Sequence, residues 1–458
     1  MIRKTLLILA LLVPAAVGSA ADIEKLLTTA SRSTRDALAV VRFTYASEGG
    51  ERTFAGQAVC IDEDGLFISL EIGSRMAEDR MSDFELIPPG GTGEPVAAKL
   101  LWVDELTGMS FLQAEDAEGW QPIEFADKSD LYVGRGVAAA GLMPGNTGNA
   151  RYFGAAHVSS LIRVPTRLVY VTGGQLTRLG SPVFRDDGKC IGLVGMQRTM
   201  ANRFIQIGPG RRVPVTVTDR QETSFFVPVE EFAEILANPR TPRTRSWIGV
   251  LRVEPISDDI ARIKKLDRPA VRLGRIVPDT PADDAGLREG DIIIGMNGKE
   301  LPDLGTIALT AAYLDREISG AKPGREITLS VVRDDKTREF TVKPQAVPKR
   351  PWEAARHYEV GLGLGARESV RLDKYTSRTP LPDVPGLIVY AAPRGGPAAE
   401  AGIRGNDILM SLGGVETKSV ADFERAADAA LARPGEDVAA EVMRGETKQT
   451  VQIAIPSR

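Results

Sequence analysis

A 21-residue segment occurs twice in the second half of this chain, and the repeat constrains the fold more than any other feature. PADDAGLREGDIIIGMNGKEL begins at Pro281 and returns as PAAEAGIRGNDILMSLGGVET at Pro397; the same spacing relates Gly286 to Gly402 and Asp291 to Asp407. Pro281 and Pro397 suit the first turn of a short helix, because a first-turn amide needs no partner, and Gly286 and Gly402 suit its left-handed end. Ile292, Ile293 and Ile294, or Ile408 and Leu409, then read as a buried strand, followed by a Gly turn at Asn297-Gly298 or Gly413-Gly414. An Ala-rich helical stretch (IALTAAYLD, FERAADAALA) and a closing hairpin (ITLSVVRDDKTREFTV, VAAEVMRGETKQTVQI) complete each copy. Each copy is one folding unit containing both helix and sheet.

The first half has a different texture. A short amphipathic segment, IEKLLTTASRSTRDALAVVRF, precedes many brief apolar runs separated by Gly, Asp and Asn turns as far as about Arg220, the pattern of a β-barrel or sandwich. A helical stretch near VEEFAEILANP closes the region, and the segment RTPRTR that follows, with its three spaced arginines, reads as a linker. At 458 residues the chain has room for about three domains. The first twenty residues have the make-up of an export signal: Arg3 and Lys4, an apolar run from Leu6 to Val17, then Gly18, Ser19 and Ala20, with cleavage after Ala20 or Ala21. That run is interrupted by Pro14 and is shorter than the ~20 residues of a spanning helix, so no stable membrane span is expected after cleavage.

Composition excludes several classes of function. A net charge of −4, with 26% charged residues, is not the footprint of a nucleic-acid binder. Only Cys60 and Cys190 are present, too few for a disulfide framework; two separate buried thiols are the simpler reading and a bridge between them the other. No spacing of ligands for a metal exists, and no cofactor is implied.

The two repeats resemble PDZ domains of the order found in bacterial HtrA (high-temperature-requirement) proteases. Each opens with a Φ-Gly-Φ loop, Trp247-Ile248-Gly249-Val250 in the first and Gly361-Leu362-Gly363-Leu364 in the second. The resemblance implies that this loop offers backbone N–H groups to the C-terminal carboxylate of a peptide, which adds to the sheet as an extra strand. A phosphate-binding reading of GLGLG fails on spacing and context. The other alternative is that the repeats are rigid spacers with empty or self-occupied grooves.

The region from about Asp22 to Asn238 resembles the trypsin-like domain of the same family, through GQAVCIDEDGLFIS, LWVDELTGMSFLQ, LGSPVFRDDGKCIGLVG and FFVPVEEFAEIL. The implied architecture is mostly β: a trypsin-like double β-barrel followed by two PDZ domains, which are α+β and partly open β-barrels. The expected boundaries are a signal peptide over 1–21, a degenerate protease domain over 22–240, a linker at 241–246, PDZ domains at 247–345 and 357–456, and a second linker at 346–356.

The family's catalytic residues do not carry over. Where it has Leu-Thr-Asn-Asn-His, this chain runs Ile68, Ser69, Leu70, Glu71 and Ile72, so Ile72 stands at the general base. Gly108 falls at the orienting aspartate and Leu179, in Thr177-Arg178-Leu179-Gly180-Ser181-Pro182, at the nucleophile. A shifted register would make Ser181 the nucleophile, still without its His and Asp. Only two histidines exist: His157 falls on a strand expected in the second barrel and His357 at the threshold of the second PDZ, both in places for structural or solvated roles. Asp186-Asp187, Asp283-Asp284 and Asp334-Asp335 read as solvated polar pairs, and Arg211-Arg212 beside GPG as an exposed loop.

The expected function is that of an exported HtrA-like pseudoprotease that binds polypeptide C-termini or extended, unfolded segments through two PDZ domains, as a scaffold or chaperone-like adaptor. The family comparison implies a periplasmic or other extracytoplasmic location and often a homotrimer. The alternatives are an active serine endopeptidase with a non-standard catalytic arrangement built on Ser181, and a holdase whose barrels cradle unfolded clients.

Overall fold

The computed structural model of the chain describes residues 20–47, 50–72, 76, 78–91, 93–163, 166–195, 200–206, 212–218, 225–256, 258–264, 266, 268–304, 307–376, 381 and 384–455. The export signal lies outside these residues except for Ala20 and Ala21, which open a helix, and so does Arg211 with its Gly-Pro-Gly neighbours.

The brief apolar runs of the first half close into two six-stranded barrels. In the first, the strands follow in the order Leu38–Ser47, Gly50–Asp62, Leu66–Ser69, Ser110–Ala114, Val96–Val103 and Met81–Ile87, the last pairing back onto the first. The second contains Gly136–Leu142, Arg151–Arg163, Arg167–Thr172, Phe225–Pro228, Cys190–Val194 and Pro182–Phe184, again closed. Closure leaves no exposed edge, which removes the main hazard of short strands. Each barrel has its own apolar filling, Phe43, Phe67, Leu86 and Leu112 in the first and Val137, Val169, Ile191 and Phe226 in the second.

A third cluster welds the barrels together. Val59, Ile68, Trp102 and Phe111 of the first meet Ala138, Ala140, Leu142 and Phe184 of the second, and the amphipathic helix Ala20–Ser33 adds Leu26 and Ala30. Trp102 and Phe111 stack with ring centres 4.5 Å apart, and the Trp102 indole donates to the Pro239 carbonyl at 2.9 Å. The stretch that follows Pro239 is therefore held against the first barrel, and Arg243 forks onto buried Asp104 at 3.0 and 3.1 Å.

The two repeats fold alike. Each short helix, Pro281–Asp284 or Pro397–Glu400, runs into a glycine of positive φ, Gly286 at 75° or Gly402 at 92°. Behind it stands a carboxylate shared by both copies. Asp291 accepts the Arg288 amide and both arms of Arg333, which also donates to the Gly286 carbonyl. Asp407 accepts the Arg404 amide and Arg444, which reaches the Gly402 carbonyl in the same way. One bidentate pair thus ties helix end, central strand and closing hairpin, and explains why the repeat keeps an aspartate where most residues are apolar.

Asp291→Ala leaves a nearly buried guanidinium without its carboxylate and is expected to cost about 3–5 kcal/mol in chemical denaturation. Asp407→Ala should cost less, because Arg444 keeps 30% of its side chain in solvent. An equal or negligible loss at both sites would contradict this account.

Cys60 and Cys190 are both free and fully buried, which settles the two readings in favour of separate thiols. Loss of solvation pushes the Cys60 thiol up to about 11 and the Cys190 thiol up to about 12 from an ordinary 9.0. The folded state therefore keeps protons that the unfolded chain releases; stability is untouched below about pH 9 and should fall as the pH climbs toward 11 to 12. Iodoacetamide at pH ~8 should modify neither thiol in the folded protein and both in denaturant.

Candidate functional site

Three loops meet where the barrels join. The chain leaves strand Leu66–Ser69 through Leu70, Glu71 and Ile72, it turns at Leu106 to Met109 between two strands of the first barrel, and it enters Pro182–Phe184 of the second through Arg178 and Leu179. Ile72, Gly108 and Leu179, distant in sequence, line one cavity of about 1070 Å³. Its floor is apolar, with Leu70, Met109, Leu193 and Val227, and the helix Ile307–Gly320 of the first repeat walls its far side through Arg316 and Gly320. Arg316 donates to Thr166 Oγ1 at 2.8 Å and to Glu231 Oε2 at 2.6 Å, clasping the repeat to the second barrel at the mouth.

The side chains at the three aligned positions offer the cavity no acid or base. Ile72 is completely buried in the first barrel, Gly108 has no side chain and a φ of 77°, and Leu179 is half-buried. An aspartate at 108 would have to adopt a left-handed backbone, a sparsely populated though tolerated state. The two carboxylates just before this turn are committed: Asp104 accepts the Thr107 amide and hydroxyl as well as Arg243, and Glu105, which lines the cavity, accepts Arg350 at 2.7 Å.

Ser181 does not face the cavity. Its hydroxyl is fully buried between the barrels, where Gln57 Nε2 donates to it at 3.2 Å, and Gln57 Oε1 in turn accepts the Leu142 amide at 2.8 Å. The Ser181 amide donates to the Arg178 carbonyl and the Gly180 amide to the Val194 carbonyl, so the N–H groups beside a nucleophile at 181 are already in use. The space is tight as well: a side chain on Gly141 would begin 2.8 Å from the Ser181 hydroxyl. Neither histidine is near. His157 pairs Gly136 and Thr172 within the second barrel, and His357 lies in the second repeat.

Sequence reasoning overlooked a pair of charges that shapes this seam. Glu71, next to Ile72, and Arg178, next to Leu179, form an ion pair at 2.5 Å across the barrels, both largely shielded from solvent. Opposite charges flanking two aligned catalytic positions were the available signal. Removing the Ser181 hydroxyl should leave the Gln57 amide short of a partner in a buried setting, so Ser181→Ala is expected to lower stability in urea by about 1–3 kcal/mol. A neutral effect would mean that the hydroxyl has no structural work there.

The two Φ-Gly-Φ loops are held in the same way, each carbonyl before the second glycine position receiving an amide from the following short helix: Ala282 to Ile248 and Ala398 to Leu362. Ile248 and Leu362 point into the domain cores together with Val250 and Leu364. Gly249 has a φ of 100°, and a Cβ there would lie 1.9 Å from Thr280 Oγ1, so glycine is demanded by packing before any ligand is considered. Trp247 donates its indole N–H to the Val250 carbonyl at 3.0 Å, while the Gly361 amide donates to Glu359 Oε1 at 3.0 Å. The first loop leads into strand Val253–Pro255, which among the described residues pairs on one side only, with Val271–Leu273. The second leads into Leu364–Arg367, which pairs on both sides.

The trypsin-like peptidase domain family matches residues 57–193 and the PDZ domain family matches residues 251–343 and 361–455. The chain thus carries a trypsin-like peptidase domain and two PDZ domains. Similar proteins from Halomonas elongata and Brucella suis, each called a probable periplasmic serine endoprotease, DegP-like, are 26% identical over 384 and 400 residues. The matches cover 79% and 83% of this chain and 71% and 70% of those relatives. Among solved structures, the HtrA-type protease AlgW with decapeptide aligns with a TM-score of 0.52 at 15% identity over 71% of this chain and 99% of its own. AlgW with tripeptide aligns at 0.51 and 17% over 71% and 98%. At such identity the likeness shows a shared fold over the part of the chain that aligns. No helix among the described residues is long and apolar enough to cross a membrane, and no described group of His, Cys, Asp or Glu is placed to hold a metal ion.

Proposed function

We propose that this chain is an exported HtrA-type pseudoprotease, periplasmic like the relatives it matches are named, whose PDZ modules capture polypeptide C-termini or extended segments. The observation that carries the reading is the convergence of Ile72, Gly108 and Leu179 on one cavity. Hydrolysis of a peptide bond by this fold needs a hydroxyl, an imidazole and a carboxylate at those places, and the first barrel, the second barrel and the turn each supply a residue that can do none of the three jobs. Loss of the nucleophile or the base costs such an enzyme about six orders of magnitude in turnover.

Capture of peptides rests on the loops. A backbone turn that presents N–H groups beside a strand with an unpaired edge is the arrangement that receives a terminal carboxylate and adds the peptide as a strand. Strand Val253–Pro255 has that edge, with the helix Ile307–Gly320 running beside it. AlgW, of the same fold, has been solved with peptides. A trimer built through the barrels would multiply weak individual affinities.

A fluorophosphonate probe is expected to label nothing in the folded protein, and unfolded casein to stay uncut; labelling that disappears in Ser181→Ala, together with cleavage, would instead establish an active endopeptidase. Peptides from a C-terminal library should bind with a free carboxylate and lose about tenfold or more when amidated, since a charge-assisted hydrogen bond is lost. Equal affinity for amidated peptides would remove the carboxylate role from the loops. Amidation is a cleaner test than enlarging Gly249, where any side chain collides with Thr280.

A further inference from the structure

The two repeats part company at the strand that follows the Φ-Gly-Φ loop. In the second, residues Arg356–Glu359 fold back along Leu364–Arg367 as an antiparallel partner, pairing Arg356 with Arg367, His357 with Ala366, Tyr358 with Gly365 and Glu359 with Leu364. The loop itself becomes the turn of this hairpin, the Gly363 amide donating to the Val360 carbonyl. The opposite edge of Leu364–Arg367 is taken by Leu387–Ala391, so the folded-back segment occupies the one edge an added peptide could use.

The segment also makes the side-chain contacts of a ligand. It lies against the helix Val420–Leu431: the His357 ring meets Phe423 edge-on at 5.8 Å, and His357 Nδ1 stands 3.1 Å from Glu424 Oε1. It runs toward the loop, as a bound C-terminus does, and delivers a carboxylate there, Glu359 Oε1 accepting the Gly361 amide.

We propose that Arg356–Glu359 is an internal ligand that latches the second PDZ module shut, with the Glu359 side chain standing in for a terminal carboxylate. The module then accepts an outside peptide only when this strand is displaced, and the displacing peptide carries an acidic end at the loop and a basic or imidazole side chain two residues earlier, facing Glu424. The inference rests on reading the Φ-Gly-Φ loops as peptide sites, and it divides the labour between them: the first groove is open and the second is held in reserve. The competing strand is tethered, so its effective concentration is high and only a tighter or similarly tethered partner displaces it.

The test uses the full chain and a fluorescent peptide of its own residues 350–359, RPWEAARHYE, with a free C-terminus and a photo-crosslinker at the tyrosine position. The latch is weakened in the double variant His357→Ala, Glu359→Ala, which removes two half-buried side chains and, of core contacts, the His357 edge on Phe423. The peptide is expected to bind the variant at least about tenfold more tightly than the wild type, the size of one charge-assisted hydrogen bond lost by the competing strand. Its crosslinks should fall within 361–367 and 420–431. Equal binding by both proteins at that site, or no crosslink there in a variant that is folded by circular dichroism, would overturn the latch. Should the variant not fold, hydrogen exchange in the wild type decides: slow exchange of the 356–359 amides supports the latch, and exchange as fast as exposed loops refutes it. Crosslinks confined to 248–255 and 307–320 report on the first groove, so the failure of general peptide capture and the failure of the latch give different maps.

Discussion

The seam between the two barrels is the constraint on which the rest of the molecule depends. A closed barrel has no spare sheet edge, so two of them can be joined only through side chains, and here Trp102, Phe111, Ala140, Leu142 and Phe184 form a dry contact. Polar groups are admitted to the seam where they are matched: Gln57 spans it from the first barrel to the Leu142 amide and the Ser181 hydroxyl. Glu71 and Arg178 close a second bridge nearby. These contacts fix how the connecting loops face one another, and therefore create a cleft whatever residues the loops carry.

Within that geometry the loops bring Ile72, Gly108 and Leu179 to the cleft. Burying Ile72 completely contributes to the core of the first barrel, and a glycine at 108 relieves a turn of positive φ. The cleft between the barrels combines apolar side chains such as Leu70, Met109 and Leu193 with charged ones such as Glu105, Glu230 and Arg243, and the first PDZ module walls one side of it. The Arg316 contacts with Thr166 and Glu231 hold that wall in place.

The PDZ modules show a second rule, that a sheet edge is either filled or available. One aspartate and one arginine, Asp291 with Arg333 and Asp407 with Arg444, build the same body in both copies. The copies differ in a few residues ahead of the loop. Trp247 in the first turns its indole onto the Val250 carbonyl, whereas Glu359 in the second brings a carboxylate to the Gly361 amide and carries its strand with it. Among the described residues, the strand after the loop is thus an edge strand in the first copy and paired on both sides in the second.

Much of this was legible in the chain itself. Strand-sized apolar runs, the repeated Pro-to-Gly helix and the conspicuous Asp291 and Asp407 announce barrels and paired α+β modules, because those signals are local: a period, a cap, a turn. The alignment of Ile72, Gly108 and Leu179 with the family's triad is an expectation of the same local kind, since it depends only on position along the motif. What the sequence could not disclose is every feature made by residues far apart: that Ser181 is turned away toward Gln57, that Asp104 belongs to Arg243, that Cys60 and Cys190 never meet, and that His357 lies on a strand paired with Leu364–Arg367. Such contacts follow from which surfaces are left to pair once the barrels and sheets have closed, and only the tertiary structure decides that.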